Sequence, residues 1–369
     1  GGCVRMNERE KQILKILRRN PLIQQNEIAD ILQISRSRVA AHIMDLMRKG
    51  MIKGKGYILT EREYCVVVGA INMDIRGTAE IHYPQSASHP GSIHCSAGGV
   101  GRNIAHNLAL LGRDVHLISA VGSDFYGETL LEQTRQAGVN VSSCIRLHGH
   151  NTSTYLSVAN QQDETVLAIN DTQILQKLTP QLLDNSRDLL RHAGVILADC
   201  NLTPEAMEWV FTIADDIPVF IDTVSEFKAE KIKTWYSRIH TLKPTQKELE
   251  ILWGNPVITD ADLARAADFL HQQGVQHVYV YMKDESVFCS QKNGEQFRLF
   301  PPAHPVVDGF GADDGFMAGL LYSFLEGSDF RDGANFAMAC AALSRASVSL
   351  NNPALSANNA LYLLNTTQA

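Results

Sequence analysis

The sequence predicts an α/β fold, doubly wound in three αβα layers with a small β lid, preceded by a small separate helical domain. Three observations predict it. From Tyr64 onward, apolar strands such as CVVV and VILA alternate with helical segments, the texture of a parallel sheet covered on both faces. Two stretches within that region instead alternate polar and apolar residues, as strands exposed on one face do. The charge is also divided: residues 1–63 carry 13 Lys and Arg against 7 Asp and Glu, a balance of +6, whereas the remainder carries 20 against 33, a balance of −13. Two parts so different in charge face different partners.

A chain of 369 residues, 45% hydrophobic and 20% charged, buries a large core and suits two domains. Its longest apolar runs fall far below the roughly 18 residues a membrane helix needs, and no secretory leader pattern is present. No membrane partner and a cytoplasmic location are expected. Seven cysteines without a CxxC pair point to neither a disulfide framework nor a zinc site. Residues 1–5, GGCVR, are read as lying outside the fold.

In the basic part, EREKQILKILRRN sets Ile13, Leu14, Ile16 and Leu17 on one helical stripe, which Asn20-Pro21 ends. QQNEIADILQ gives a second helix and QIS a tight turn. Ser35 caps a third helix, SRSRVAAHIMDLMRKG, and Gly50 stops it. MIKGKGYILT reads as two short strands about a Gly-Lys-Gly turn. Helix, helix, turn, helix and basic hairpin in this order resemble the winged helix-turn-helix family of bacterial DNA-binding domains. The resemblance implies a third helix in the major groove, with Ser35, Arg36, Ser37, Arg38 and His42 exposed, and Lys53 and Lys55 of the wing on phosphate. A small dimerisation or docking module with solvated arginines is the competing reading.

In the acidic part, YCVVVGAIN is a strand, GVGRNIAHNLALLG a helix, DVHLISAVG a strand and DFYGETLLEQTRQAG a helix. The alternation continues through HAGVILADC, PEAMEWVFTIADD, IPVFIDT, IHTLKPT and VQHVYVYM. Sheets of this kind hold ligands at the carboxyl ends of their strands. The lid is expected from about residues 75–97 and 152–169, and the domains from residues 1–63 and 64–369.

Two motifs carry the chemistry. VVDGFGADDGFMAG, residues 306–319, sets Asp313 and Asp314 at a helix start behind a glycine-broken turn, with Asp308 upstream. A helix start favours negative charge, so the dipole keeps Asp314 ionised, and the N–H groups of Gly311, Ala312 and Asp313 face an oxyanion. SAGGVGRNIAHNLALLG, residues 96–112, is a second glycine cluster opening a helix. In this order on an α/β chain with a lid, the two resemble the signatures of the ribokinase-like (PfkB) kinase family, over about residues 64–365. FIDTVSEFKAEKI is most similar to nucleoside kinases of the pseudouridine type.

The resemblance implies roles residue by residue. Asp314 stands where the family has its base, and Gly311 to Asp313 form the anion hole. Asp313 replaces a glycine; a second charge about 4 Å from a phosphoryl oxygen would cost on the order of 4 kcal/mol at an effective dielectric near 20, so its side chain must turn away or meet a cation. Asn72 and Asp74 match the pair that accepts hydrogen bonds from sugar hydroxyls, and Gly98, Gly99 and Asn103 match the residues that approach and fix the sugar. Glu248 matches the glutamate that organises water around magnesium, with Thr245 where asparagine is usual. Asp222 reaches the phosphates only through metal or water. Lys283 stands for a nucleotide-side glycine and is expected, with Asp308 and Gly311, to bind the nucleotide, and Gly309 replaces a threonine.

The expected protein is an ATP- and Mg2+-dependent kinase for the primary hydroxyl of a ribosyl compound, fused to a DNA-binding domain through residues 1–63 and working as a homodimer. Pseudouridine is the first candidate, inosine or guanosine the next, and a free sugar after that. A requirement for a monovalent cation such as K+ stays open. The alternative is a transcriptional regulator whose kinase-like domain senses a nucleoside with little catalysis, a reading that the departures at Asp313, Thr245 and Lys283 favour.

Overall fold

The computed structural model describes residues 5–54, 63–80 and 87–367. The chain divides into two compact units, Gly1–Glu61 and Arg62–Ala369.

In the first unit three helices follow, α1 Glu8–Arg19, α2 Gln25–Leu32 and α3 Arg36–Arg48. Ser35 caps α3 as the sequence predicts, its Oγ accepting the Arg38 N–H at 3.2 Å, and Asn7 and Glu10 form a capping box on α1. Gln33, in the left-handed region, makes the turn between α2 and α3. Ile13, Leu14, Ile28, Val39, Ile43 and Leu46 close a small core, with Ile16 and Leu17 packed against it. Glu10 is buried with them and is held by Lys49, whose Nζ lies 2.7 Å from Oε2. Most of the expected wing, Lys55 included, lies outside the described residues.

The second unit contains, in chain order, β1 Cys65–Val68, β2 Asn72–Ala79, β3 Gly91–Gly98, β4 Val115–Ile118, β5 Ala120–Gly122, β6 Ile145–Leu147 and β7 Thr154–Ala159. It continues with β8 Thr165–Asp171, β9 Val195–Asp199, β10 Val219–Asp222, β11 Thr241–Leu242, β12 His277–Tyr281, β13 Val287–Gln291 and β14 Gln296–Leu299. The main sheet runs β14-β13-β12-β11-β10-β9-β1-β4. Alternate residues of its central strands enter two separate cores. Cys65 and Val67 pack under the helices Val100–Leu110 and Ala312–Glu326, while Val66 and Val68 pack under Pro204–Ala214. Each fully buried Val, Leu, Ile or Phe contributes about 1.5–3 kcal/mol, so the apolar runs fix both faces of the sheet at once.

Two details differ from the expectation. The sheet is mixed: β13 and β14 run antiparallel at one edge, joined by a tight turn at Asn293-Gly294, with Asn293 in the left-handed region. The segment DVHLISAVG is also two strands, because the chain leaves the main sheet at Ser119 and β5 pairs with β6.

The lid is a four-stranded sheet of order β3-β2-β7-β8. Strand β2 is shared between lid and site: Asp74 is paired with Ser96 on one side and Tyr155 on the other, while Met73 enters the main core.

Candidate active site

The turn Phe310-Gly311 opens the helix Ala312–Glu326 at the carboxyl end of the main sheet. Gly311 has φ +82° and lies so close to Leu350 that a Cβ would stand 2.8 Å from its carbonyl oxygen, so only glycine suits the turn. The loop before it is anchored by Arg345, whose carbonyl accepts the N–H groups of Val307 and Asp308 at 2.8 and 3.0 Å. The Arg345 guanidinium is itself held by Glu285 and Tyr281. The Asp308 carboxylate bends back onto the Phe310 N–H at 3.1 Å.

Asp314 is buried at the helix start, and Asn103 Nδ2 donates to its Oδ2 at 3.3 Å. The two motifs, far apart in sequence, therefore meet at one carboxylate. The helix dipole expected to hold Asp314 ionised is opposed by its surroundings. Burial first, then the charges of Asp313 and Asp222, push its pKa well above the carboxylate range, and Lys243 and Asn103 only partly oppose them.

The Asp313 side chain is about half exposed, and it meets a cation. Lys243 Nζ lies 3.7 Å from Asp313 Oδ2 and 3.7 Å from Asp222 Oδ2. Lys243 is 3% exposed. Burial works against its charge, but Asp222, Asp313, Asp314 and Glu248 outweigh that and raise its pKa above the ordinary lysine value. Burial also pushes Asp222 up to about 6, against the pull of Lys243. Sequence reasoning missed Lys243. The available signal was a charged residue ending an otherwise apolar strand segment, IHTLKP.

Asp74 sits on β2 under Gly98, where a Cβ would fall 2.2 Å from Asp74 Oδ2. Burial pushes Asp74 up to about 6, with Arg102 opposing. Asn72, opposite Gly98, has its Oδ1 buried without a hydrogen-bond partner among the described residues, an acceptor open to a hydroxyl. Gly99 is the N-cap of the helix Val100–Leu110. Arg102 was not singled out by the sequence. It is buried and donates to Asn103 Oδ1 at 3.1 Å and Asn351 Oδ1 at 2.7 Å, while Asn351 donates to Asn107 Oδ1 at 2.9 Å. This network fixes the Asn103 amide, with its oxygen on Arg102 and its nitrogen free for Asp314. Burial lowers Arg102 to about 10, and Asp74 and Asp314 oppose the fall.

A cleft of about 680 Å³ adjoins Asp313 and brings together Thr245, Glu248, Lys283, Gly309, Ala312 and Asp313. Thr245 caps the helix Gln246–Trp253. Its Oγ1 accepts the Glu248 N–H at 3.2 Å, and Glu248 Oε1 accepts the Thr245 N–H at 3.1 Å and the Thr223 hydroxyl. Lys283 is exposed in the turn after β12. Glu248 and Asp313 bring carboxylates, the donor type a hard divalent cation takes, to this cleft, and Asp222 Oδ2, 3.7 Å from Lys243 Nζ, is buried with no hydrogen-bond partner among the described residues.

In the first unit, Ser35, Arg36, Ser37 and Arg38 are exposed at the start of α3, as is Lys53. His42 is not fully exposed as expected. It is half-buried because it lies against Glu10 and Asp45, their ligand atoms within 4.8 Å of one another, and its Nδ1 is buried.

A family model described as pfkB family carbohydrate kinase matches residues 62–357, and one described as winged helix-turn-helix DNA-binding matches residues 6–53. The uncharacterized sugar kinase YeiI of Escherichia coli (strain K12) is 77% identical, over 97% of this chain and 99% of its own. The pseudouridine kinase of the same organism is 39% identical, over 83% of this chain and 98% of its own. The structure of Arabidopsis thaliana ribokinase complexed with ribose and ATP superposes with a TM-score of 0.75 at 22% identity, covering 82% of this chain and 99% of that one.

Proposed function

The chain belongs to the pfkB family of carbohydrate kinases and carries a winged helix-turn-helix domain ahead of its kinase domain, and from that premise we propose that it transfers the γ-phosphoryl of ATP to the primary hydroxyl of a nucleoside. Pseudouridine is the first candidate, supported by the pseudouridine kinase among its relatives; inosine and guanosine come next.

Asp74, Asn72 and Asn103 orient the ribosyl hydroxyls, Asp74 by charge-assisted bonds. Asp314 accepts the proton of the primary hydroxyl as its oxygen attacks the γ-phosphorus and the bond to the bridging oxygen of ADP breaks. The N–H groups of Gly311 and Ala312, with Lys243, stabilise the phosphoryl oxygens. Magnesium, when bound, neutralises charge on the ATP phosphates, and Glu248 and Asp222 would hold it. The lid excludes water from the phosphoryl.

The observation that supports this reading is the hydrogen bond from Asn103 to Asp314, the proposed sugar-binding residue and the proposed base. The test is turnover by the full chain with ATP, magnesium and a nucleoside panel, followed as ADP. Asp314→Asn should lose about 10²–10⁴-fold in kcat; unchanged turnover refutes the role.

Residues 1–63 are proposed to bind DNA through Arg36, Arg38 and Lys53, and the protein to act as a cytoplasmic homodimer. The outer strands of the lid support the dimer: Ile93, Val166, Leu167 and Ile169 are exposed there, a surface that a second copy would cover. The second reading, a nucleoside-sensing regulator, is favoured by the Asp313 carboxylate standing in the anion turn. Nucleoside binding without turnover on any nucleoside or sugar would establish it.

A further inference from the structure

Asp313 occupies two donors at once. Its Oδ1 accepts the Asp314 N–H at 3.0 Å, one of the first-turn donors of a helix that otherwise serve an anion. Its Oδ2 faces Lys243 Nζ at 3.7 Å. Lys243 Nζ also lies 3.7 Å from Asp222 Oδ2 and over the Tyr281 ring, 5.8 Å from its centroid. Of these groups Asp222, Lys243 and Asp314 are buried, whereas Asp313 is 52% exposed at its side chain and lines the cleft. A backbone N–H beside a buried ammonium is the donor pair that a phosphate oxygen uses.

We propose that Asp313 is a built-in competitor for the phosphoryl site: its carboxylate holds Lys243 and the Asp314 N–H, and an incoming terminal phosphate must take both from it. The exchange makes and breaks only ion pairs and hydrogen bonds. Asp313 swings toward solvent, and Lys243 keeps Asp222 and gains the phosphate oxygen. Lys243 is thereby a binding residue for the terminal phosphate, and Asp313 sets how tightly a polyphosphate is held while leaving the adenosine moiety alone. The inference rests on the kinase reading above.

The test is equilibrium binding of ATP, inorganic tripolyphosphate and adenosine to the full chain, without nucleoside. Asp313→Ala should bind ATP and tripolyphosphate at least tenfold more tightly than the parent and adenosine equally. Asp313→Asn, which keeps the bond to Asp314 and drops the charge, should fall between them. In a Lys243→Met background the gain from Asp313→Ala should vanish. Measurable but equal or weaker binding of ATP and tripolyphosphate by both Asp313 variants overturns this inference alone, whereas no ATP binding by any of the proteins overturns it together with the kinase reading.

Discussion

Asn103 Nδ2 lies 3.3 Å from Asp314 Oδ2, the Asn103 amide being held in that orientation by the buried Arg102. The bond favours the ionised form of a carboxyl whose pKa burial and two neighbouring carboxylates raise. Removing it raises the Asp314 pKa further. Asn103→Leu is expected to lower kcat by about 10²-fold and to move the acid limb of its pH–rate profile to higher pH, as read from initial rates.

The parent enzyme should already be acid-sensitive. A base must be deprotonated to accept a proton, so the rate falls as pH falls through its pKa. Because that pKa lies well above the ordinary carboxylate value, the fall begins at a higher pH than the roughly 4 of an unperturbed side chain. An acid limb in kcat/KM at about pH 4 would contradict the assignment of Asp314.

Gly98→Ala places a methyl 2.2 Å from the current position of Asp74 Oδ2. The carboxylate must rotate off the sugar side. The expected result is a rise of at least about tenfold in nucleoside KM, with the KM for ATP unchanged and the melting temperature within a few degrees of the parent. A parallel rise in both Michaelis constants would argue that Asp74 does not touch the sugar.

Stability on the acid side should depend on His240 and His277, which pack edge-on at 4.7 Å in an aromatic cluster with Phe220, Phe324 and Phe330. Burial lowers them to about 4 and about 3. With folded pKa values below the unfolded 6.5, the unfolded chain binds protons first, so stability is intact above pH 6.5 and is lost progressively as pH falls toward the folded values. At pH 5 the loss is about 2 kcal/mol per histidine. His277→Phe should remove one such share of the difference between urea denaturation at pH 7.5 and at pH 5. Asp74 and Asp222, both raised to about 6, act in the opposite sense: their contribution is full below about pH 4 and is lost as pH rises through 6.

The DNA-binding proposal predicts a salt dependence. If Arg36, Arg38 and Lys53 meet phosphate, each alanine replacement should weaken binding to any duplex and reduce the slope of log K against log salt by about one. Fluorescence anisotropy at four salt concentrations measures this. An unchanged slope in all three variants removes these residues from the interface.

Much of the molecule was legible in the sequence because local chemistry decides it. Ser35 and Gly50 bound α3 by capping, and the alternation of Cys65 and Val67 with Val66 and Val68 fixes two cores. The β13–β14 hairpin was passed over although Asn293-Gly294 marks it, since QKNGEQFRLF lacks the apolar run of its neighbours. Lys243, Arg102 and Asn351 were illegible for a different reason. Lys243 meets Asp313, Arg102 meets Asn351 and Asn351 meets Asn107, each across elements brought together only by long-range packing, for which a single sequence carries no local signal.

Strand β2 begins at Asn72 and Asp74 and runs on, without a break, into the middle of the four-stranded cover. If Asn72 and Asp74 grip the cargo as proposed, a roof hinged on the same beam cannot swing without shifting the grip. Cargo that fails to engage the near end of the beam therefore leaves the far end unsettled, so that a sugar missing its vicinal hydroxyls should let water reach the nucleotide and raise the idle consumption of ATP.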